Sequence, residues 1–307
     1  MNKINFNQAL FKVMKNRLFS QALTSVLVMM LLTAATSCEK MVIHDEDEAN
    51  VVVSIDSYEQ VPFPAQSRAD GETSVTRLCF HIYDDTGERI AYINQKQDDN
   101  HFGTAYFSLE KGHYYVLVVG HSADNNPSFT KNEIVKISGS DLGDTFWMMK
   151  EITVDEEVVV ESMGLNRIVS RVNFIPTDKA PEEMNQIIFS YQGSKGTFNG
   201  LTGYGSTNAR QRVPKDVTPN DESYGFYMIP SSDSDEIDLE IYTYHYDEMK
   251  GAQPLTKKTY HNIPVQRNRM TICKGILFDN KSTEQQLEIS VVINYAWGDD
   301  IIIDLDK

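Results

Sequence analysis

The sequence predicts an all-β protein with two antiparallel sandwich domains. Short apolar runs with the alternation of β-strands follow one another from Val51 onward, and clusters of turn residues separate them. No stretch typical of a long helix joins two strands of the second half, which favours sandwiches over an α/β fold. The chain has 307 residues. Without an N-terminal leader of 37 residues it would have 270, a length that suits two domains.

The first domain is predicted over residues 50–150. Val51 to Tyr58 has the alternation of a first strand, and residues 78–82 repeat it before the turn signal Asp84-Asp85-Thr86-Gly87. Residues 114–119 are apolar on both faces. This pattern is typical of a central strand that is covered on both sides.

The second domain is predicted over residues 151–307. Residues 168–174 form a strand with Ile168, Ser170, Val172 and Phe174 on one face. Pro181 to Met184 opens one short helix, because proline tolerates the first helical turn and acidic residues favour it. Residues 193–222 form a Gly- and Asn-rich excursion that is too long for a hairpin loop. The remaining strands are Val158–Val160, Ile187–Tyr191, Tyr224–Ile229, Ile237–Tyr246, Lys257–Ile263, Met270–Phe278, Leu287–Ile293 and Ile301–Leu305.

The N-terminus has the three parts of a secretory signal. Residues 1–17 are basic, residues 18–35 are mostly apolar, and small residues precede Cys38. A cysteine at the first mature position is typical of bacterial lipoproteins, so we expect residues 1–37 to be removed and Cys38 to carry acyl chains. A transmembrane helix over 18–35 and a secretion signal without lipid are the alternatives. Residues 38–49 then form an acidic tether.

Charge and cysteine content exclude some functions. The formal charge is −16, and loss of the four basic residues of the signal makes it −16 − 4 = −20, so nucleic acid is an unfavourable partner. Cys79 and Cys273 lie 273 − 79 = 194 residues apart in different predicted domains. We interpret both as unpaired strand residues, because disulfide frameworks usually show closely spaced cysteines in even number.

The sequence contains no recognisable catalytic, cofactor or metal motif. Nucleophile elbows, H-E-x-x-H and P-loops are absent, and Gly203-Tyr204-Gly205 lacks the context of a dinucleotide site. Four histidines fall in the first domain without zinc-ligand spacing, and we interpret them as scattered strand residues: His81, His101, His113 and His121. We therefore predict no enzymatic activity, no cofactor and no metal.

A tyrosine stripe is the most prominent feature outside the predicted core. Tyr242, Tyr244 and Tyr246 alternate with the inward-facing residues of the strand that begins at Ile237. Tyrosine combines an apolar ring with a polar hydroxyl and is common at contact surfaces. The stripe is either a docking face or carbohydrate platform, or a surface covered by the excursion of residues 193–222.

The order of these segments resembles the Bacteroidales fimbrillin superfamily, and most closely its fimbrial anchor subunits. The matching stretches follow the lipoprotein cysteine, Cys38, and span nearly the whole mature chain. They are LCFHIYDDTGERI (78–90), SLEKGHYYVLVVG (108–120), GLNRIVSRVNFIP (164–176), VQRNRMTICKGILF (265–278) and ISVVINYAWGDDIII (289–303). The acidic run after Cys38 also resembles the signal that sends lipoproteins to the outer face of the outer membrane, with a plain spacer as the alternative.

The resemblance implies two transthyretin-like sandwich domains and assembly by strand donation. In polymerising fimbrillins an Arg-specific protease removes the first strand, and the groove accepts a strand of another subunit. An anchor is held by its N-terminal lipid and keeps that strand, here Val51 to Tyr58. The resemblance therefore implies a surface-exposed outer-membrane lipoprotein whose partners are fimbrial shaft subunits. We expect the C-terminal strands, 287–293 and 301–305, to supply the donor or to pack beside it.

Arg68 leaves the role within a fimbria open. It lies in AQSRADGE (65–72), close to where the family's cleavage site falls. Cleavage after Arg68 would make the chain a stalk or tip adhesin instead of an anchor. A surface lipoprotein that binds a glycan or a host surface is a further alternative, although only Trp147 and Trp297 are available as tryptophan platforms.

Overall fold

A computed structural model gives the fold of most of the chain from Ala49 onward. The residues that it describes are 49–59, 75–130, 134–139, 142–155, 159–218, 221–233, 235–247, 251–278 and 292–293. All regular elements in these ranges are strands, which confirms the predicted all-β class. None of the described residues forms a helix long and apolar enough to cross a membrane.

Eighteen strands follow one another along the described residues. The first nine are β1 (Val51–Glu59), β2 (Arg77–Asp84), β3 (Arg89–Lys96), β4 (Thr104–Phe107), β5 (Gly112–His121), β6 (Ser128–Thr130), β7 (Ile134–Lys136), β8 (Thr145–Val154) and β9 (Val159–Arg167). The other nine are β10 (Ser170–Pro176), β11 (Gln186–Gly193), β12 (Thr197–Asn199), β13 (Ala209–Asp216), β14 (Tyr224–Met228), β15 (Asp235–Asp247), β16 (Gly251–Val265), β17 (Met270–Gly275) and β18 (Val292–Ile293).

The N-terminal part is one seven-stranded sheet in the order β3-β2-β5-β8-β9-β1-β4. All seven strands contribute to a single apolar cluster, so the sheet curves around its own core. β5 is buried on both faces, as the apolar run at 114–119 predicts. β2 is also buried on both faces, which the alternation of residues 78–82 does not predict. Their second face packs with a small sheet, β12-β7-β6, in another cluster.

The C-terminal part is a sandwich of two four-stranded sheets. Their orders are β14-β10-β17-β18 and β13-β11-β15-β16. The inward faces of both sheets meet in one cluster, in which Phe189, Phe226 and Tyr191 pack with ring centroids 5.0 to 5.2 Å apart. The outward face of the second sheet carries the tyrosine stripe described below.

Two strand pairs are parallel, whereas the sequence predicts antiparallel sheets. β1 runs parallel to β9, and β10 runs parallel to β17. In each pair the two strands are separated in the chain by several other strands. Hydrophobic alternation shows which face of a strand is buried, but it carries no information about the direction of such a distant partner.

Two local predictions are corrected by the structure. Pro181 to Met184 is a tight turn, closed by the Met184 amide donating to the Pro181 carbonyl at 3.0 Å, and not a helix. The predicted strand over 168–174 is interrupted, because β9 ends at Arg167 and β10 begins at Ser170. Ile168 consequently packs in the cluster beside β12, whereas Val172 and Phe174 belong to the C-terminal core.

The excursion of residues 193–222 joins the two parts of the molecule. It contains β12, which pairs with β7, and β13, which pairs with β11. The Trp147 indole donates to the Gly200 carbonyl at 2.7 Å, and a Cβ on Gly203 would lie 2.9 Å from the Trp147 ring. Glycine is required there, since its φ of +70° is also in the left-handed region. The division into domains 50–150 and 151–307 stays a prediction.

Candidate assembly site and docking face

The first strand lies inside the seven-stranded sheet and not at its edge. β1 pairs in parallel with β9 on one side and antiparallel with β4 on the other. The side chains of β1 are buried alternately, as the sequence pattern predicts: Val51 and Val53 are fully buried, whereas Val52 is only partly buried. The predicted first strand, Val51 to Tyr58, is thus a structural member of the N-terminal core.

Asn50 fastens the beginning of β1 to the chain between β4 and β5. Its side-chain amide donates to the Leu109 carbonyl at 2.8 Å, and its side-chain oxygen accepts from the Leu109 amide at 2.8 Å. The Asn50 backbone amide donates to the Phe107 carbonyl, and its carbonyl accepts from the Val159 amide. The entry into β1 is therefore hydrogen-bonded to both neighbouring strands.

A bulge near the middle of β1 exposes a small polar cluster. The register with β9 shifts between Ile55 and Ser57, at Asp56. The Ser162 hydroxyl donates to Asp56 at 2.6 Å, and the Ser57 hydroxyl donates to it at 2.8 Å. These two hydrogen bonds, that of Ser162 first, lower the pKa of the Asp56 carboxyl below its usual value. The contact ties the exposed side of β1 to β9.

Loss of β1 would disturb more than one strand. Among the described strands, β4 has β1 as its sheet neighbour and forms the edge beyond it. Removing β1 would take two fully buried valines from the core and leave the β4 ladder without its partner. Burying a valine contributes about 1.5–3 kcal/mol. A chain that lost β1 would therefore need another strand in the same place to complete the sheet.

The candidate lipidation and cleavage residues lie outside the described residues. Cys38 precedes Ala49, where the first described range begins, and Arg68 lies between the ranges 49–59 and 75–130. Both stay predictions. Their place in the chain relative to β1 is fixed by the sequence, with Cys38 before the strand and Arg68 after it.

The structure describes only part of the C-terminal segment that is predicted to supply the donor strand. Val292 and Ile293 form β18, which pairs antiparallel with Ile272 and Thr271 of β17 at the edge of its sheet. The rest of 287–293 and all of 301–305 lie outside the described residues. An edge strand exposes backbone groups to a further strand, so this end of the sheet is suited to strand exchange.

The tyrosine stripe lies on the outward face of the sheet β13-β11-β15-β16. Tyr242 pairs with Ile188 of β11, and Tyr244 pairs with Gln186 of the same strand. The two tyrosine rings are 6.3 Å apart and nearly parallel. Tyr242 is half-buried, whereas Tyr244 is only 9% exposed. The side chain of Tyr246, the third residue of the stripe, lies outside the described residues.

Basic side chains from both sides cover the tyrosine rings. The Arg212 guanidinium lies 5.4 Å from the centre of the Tyr242 ring and donates to the Tyr244 hydroxyl at 3.2 Å. The Lys257 amine is 5.4 Å from the same Tyr242 ring. Arg212 belongs to β13, within the excursion of residues 193–222. The alternative interpretation, a stripe covered by that excursion, therefore holds for part of the surface.

Glu240 is the carboxylate at the centre of this surface. It forms ion pairs with Arg210 and with Lys257, the latter at 2.6 Å, and accepts from the Tyr242 hydroxyl at 2.9 Å. The Lys257 contact is the first cause that lowers the pKa of Glu240, and the same contact raises the pKa of Lys257. The acidic and basic groups thus stabilise each other's charged forms.

Sequence reasoning missed Arg210 and Arg212 because their segment resembled a loop. The run ARQRVPKD does alternate, with Val213 buried and its neighbours exposed. A few alternating positions beside glycines and a proline give a weak signal. The pairing with β11 fixes the strand and brings both arginines to the face that carries Tyr242.

The buried histidine His81 and the two buried cysteines are separate from this surface. His81 stacks on Phe129 with ring centroids 3.6 Å apart, and burial lowers its pKa to about 3. Cys79 and Cys273 are free and buried, and burial raises the pKa of each thiol to about 12. In the ranges that the structure describes, no group of three or more His, Cys, Asp or Glu residues is arranged to hold a metal ion.

Comparison with known proteins identifies the family. The sequence profile of DUF6562, a family of unknown function, matches residues 44–306. The chain belongs to this family. No curated protein matches it.

Three solved structures from Bacteroidales are similar to this DUF6562 chain to different degrees. A "putative adhesin" from Bacteroides ovatus has a TM-score of 0.52 at 12% identity, over 80% of this chain and 94% of that one. The fimbrial anchor protein Mfa2 from Porphyromonas gingivalis has a TM-score of 0.44 at 15% identity, over 68% and 80%. A fimbrial assembly protein from Parabacteroides distasonis has 0.41 at 10%, over 79% and 94%. The first of these comparisons shows a common fold.

Proposed function

We propose that this DUF6562 protein is a non-enzymatic, lipid-anchored outer-membrane subunit that attaches or terminates a fimbria by β-strand donation. The observation that carries the proposal is the position of β1, between β9 and β4 in the interior of the seven-stranded sheet. The fold that the chain shares with the adhesin from Bacteroides ovatus supports the same class of protein.

An interior β1 suits a subunit that bears load at its N-terminus. The lipid on Cys38 would be joined to β1 by residues 39–49, a tether that spans at most about 40 Å when extended. A pull on the fimbria would then reach the membrane through β1. The ladders with β9 and β4, together with the buried Val51 and Val53, would resist extraction of the strand.

The C-terminal edge supplies the assembly half of the proposal. β18 lies at the edge of its sheet, where its two described residues pair with β17. Strand addition at such an edge obtains its affinity from backbone hydrogen bonds and its specificity from alternate side chains. We propose that the C-terminal segment is donated to the neighbouring shaft subunit, or packs beside the donated strand.

Substitution of the lipidated cysteine tests the anchor role. Cells that carry Cys38→Ser should shed fimbriae into the medium, whereas cells with Ser37→Ala, which keeps a small residue before the cysteine, should retain them. The measurement is the fraction of shaft subunit in the medium and in the cell pellet. Fimbriae that stay on Cys38→Ser cells in the wild-type proportion would contradict the proposal.

The cleavage alternative has its own readout. A stalk or tip subunit would be cut after Arg68, so Arg68→Ala would increase the mass of the mature chain and block its incorporation. The anchor proposal expects Arg68→Ala to leave the mass unchanged apart from the substitution itself, with normal attachment of fimbriae. Mass spectrometry of the outer-membrane fraction distinguishes the two roles.

A further inference from the structure

The chain bends sharply at residues 276–278, directly after β17. The side chains of Leu277 and Phe278 are both buried in the C-terminal core, at 1% and 4% exposure. Successive side chains of a strand point to opposite faces, so two neighbours in the same core indicate that the chain has left the strand direction. Phe278 also packs edge-on against Tyr224, with ring centroids 6.1 Å apart. This bend is the last described part of the chain before β18.

Asp178 binds two successive main-chain amides of the bend. One oxygen of its carboxyl group accepts from the Leu277 amide and the other accepts from the Phe278 amide, each at 2.7 Å. In an extended strand these amides would point in opposite directions, so one carboxylate can bind both only because the chain turns here. Hydrogen bonds from backbone amides to an ionised carboxylate are about twice as strong as those between neutral groups. Asp178 follows β10 closely, and the Thr177 amide before it donates to the Gly275 carbonyl at 2.9 Å.

Lys258 fastens the same bend from the opposite sheet of the sandwich. It lies in β16, is only 8% exposed, and donates to the Ile276 carbonyl at 2.9 Å. Lysine is rarely buried unless its amine has polar partners, because removing the charge from water is costly. An apolar side chain would fill this place without that cost, which indicates a role for the polar contacts of the amine. The bend is thus held by one acidic and one basic side chain, and the two come from different sheets.

The order of elements along the chain gives these contacts a function. β17 ends at Gly275, the bend follows at 276–278, and β18 pairs with β17 at Thr271 and Ile272. A strand that is displaced from the edge of β17 therefore remains joined to β17 through the bend. We propose that Asp178 and Lys258 form an exit clamp, which fixes the point where the C-terminal segment leaves the sandwich and keeps β17 in place while that segment is donated. The inference rests on the proposed function, since it concerns the strand donation that we assign to this segment.

The exit clamp lies on the path of force between a donated segment and the core. A pull on residues beyond Phe278 reaches the bend before it reaches β17, because the chain is continuous. Four hydrogen bonds hold residues 275–278 there, from Thr177, from Lys258 and two to Asp178. Without them the pull would act directly on the end of β17, whose pairing with β10 would then open from Gly275 inward.

The two buried cysteines can report whether the exit clamp acts locally. Cys273 lies in β17 and Cys79 lies in β2, and both are fully buried. A buried thiol reacts with a labelling reagent only when its strand opens, so the rate at each cysteine measures the opening of its own region. The mature chain purified with Cys38→Ser contains these two thiols and no other. Cys79 therefore serves as the internal control for global unfolding.

Asp178→Asn should expose Cys273 without exposing Cys79. Asparagine keeps the size of the side chain, but only one of its two terminal atoms can accept a hydrogen bond, so one amide of the bend loses its partner. We expect the labelling rate of Cys273 to rise about tenfold or more, with the rate of Cys79 unchanged. Lys258→Met, which keeps the stem and removes the amine, should change the Cys273 rate in the same direction. Circular dichroism checks that both variants are folded.

Asp84→Asn is the matched control. Asp84 also accepts from two main-chain amides, those of Thr86 at 2.9 Å and Glu88 at 2.8 Å, but at the end of β2. Its substitution should leave the Cys273 rate within about twofold, because distant sites act independently. A Cys273 rate that stays unchanged in both clamp variants, or a Cys79 rate that rises equally with it, would overturn the proposal.

Attachment under shear tests the role of the exit clamp in cells. Cells that carry Asp178→Asn should lose more fimbriae than the wild type when the culture is sheared, whereas cells that carry Asp84→Asn should retain them. Faster labelling of Cys273 together with wild-type retention under shear would also overturn the proposal, since the clamp would then bear no load. Labelling tests the clamp whether or not the segment is donated, and deletion of residues 296–307 tests donation whether or not the clamp holds.

Discussion

The first strand and the last described strand are held by the fold in opposite ways. β1 has nine residues, a neighbour on each side and two fully buried valines, whereas β18 has two described residues and pairs with β17 at a sheet edge. The first strand is thus part of the N-terminal core, whereas the last described strand lies at the edge of its sheet. The proposed function assigns membrane attachment to the first of these ends and strand donation to the second.

A charge introduced into the buried face of β1 should have the largest effect. Val53→Asp places a carboxylate where the side chain has no exposure, which we expect to cost at least about 3 kcal/mol of unfolding free energy. Val52→Asp is the matched control, because Val52 is partly exposed on the other face and beside Val160, which is 69% exposed. Chemical denaturation measures both, and similar losses in the two variants would mean that β1 is not buried as described.

The hydrogen bonds at the entry to β1 should have a moderate effect. Asn50→Ala leaves the Leu109 amide and carbonyl without their side-chain partner, which we expect to cost about 1–3 kcal/mol. Asn100→Ala, in the exposed turn between β3 and β4, is the control and should change stability by less than about 0.5 kcal/mol. Denaturant titration gives both values. If Asn50→Ala lost no more unfolding free energy than the control, the Asn50–Leu109 hydrogen bonds would not contribute to holding β1 in place.

Truncation at the C-terminus should change attachment far more than stability. Deleting residues 296–307 leaves β18 in the chain, so we expect the unfolding free energy to change by less than about 1 kcal/mol. Fimbriae should nevertheless detach, because the proposed donor segment is shortened. The two readouts are thermal denaturation and the shaft subunit retained by cells. Normal attachment would count against donation from this end.

The polar cluster on the exposed side of β1 should have the smallest effect, and one that depends on pH. The pKa of Asp56 is lowered in the fold, so its carboxylate adds stability above the unfolded value of 3.8, and this contribution is lost as the pH falls through the lower folded pKa. Asp56→Asn should be slightly less stable than the wild type at pH 5–7, with a difference that shrinks below about pH 4. Thermal denaturation across this pH range measures the difference. A difference that grows toward low pH would have the wrong sign.

Sequence patterns were informative wherever burial alone decides the structure. The alternation of Val51 and Val53 and the two-sided apolar run at 114–119 predict β1 and β5 correctly. The parallel pairing of β1 with β9 depends on contacts between distant segments, which local periodicity does not report. For a related reason the turn at 181–184 resembled a helix start, since proline and acids are common to both.

The surroundings of the tyrosine stripe were predictable only in part. The spacing of Tyr242 and Tyr244 correctly gives their common face, opposite Ile241. Their cover of arginine and lysine comes from β13 and β16, and only the register between strands brings it there. A sequence pattern thus identifies the stripe but does not report the charged side chains around it. Those charges affect which ligand the surface suits.

The N-terminus of the mature protein tests the central claim most directly. Intact mass and N-terminal analysis of the chain from purified outer membranes would show whether β1 is kept. If the protein is a membrane anchor, we expect a lipidated chain that begins at Cys38 and contains Val51 to Glu59. A chain without lipid that begins at Ala69 and is found in fimbriae would contradict it.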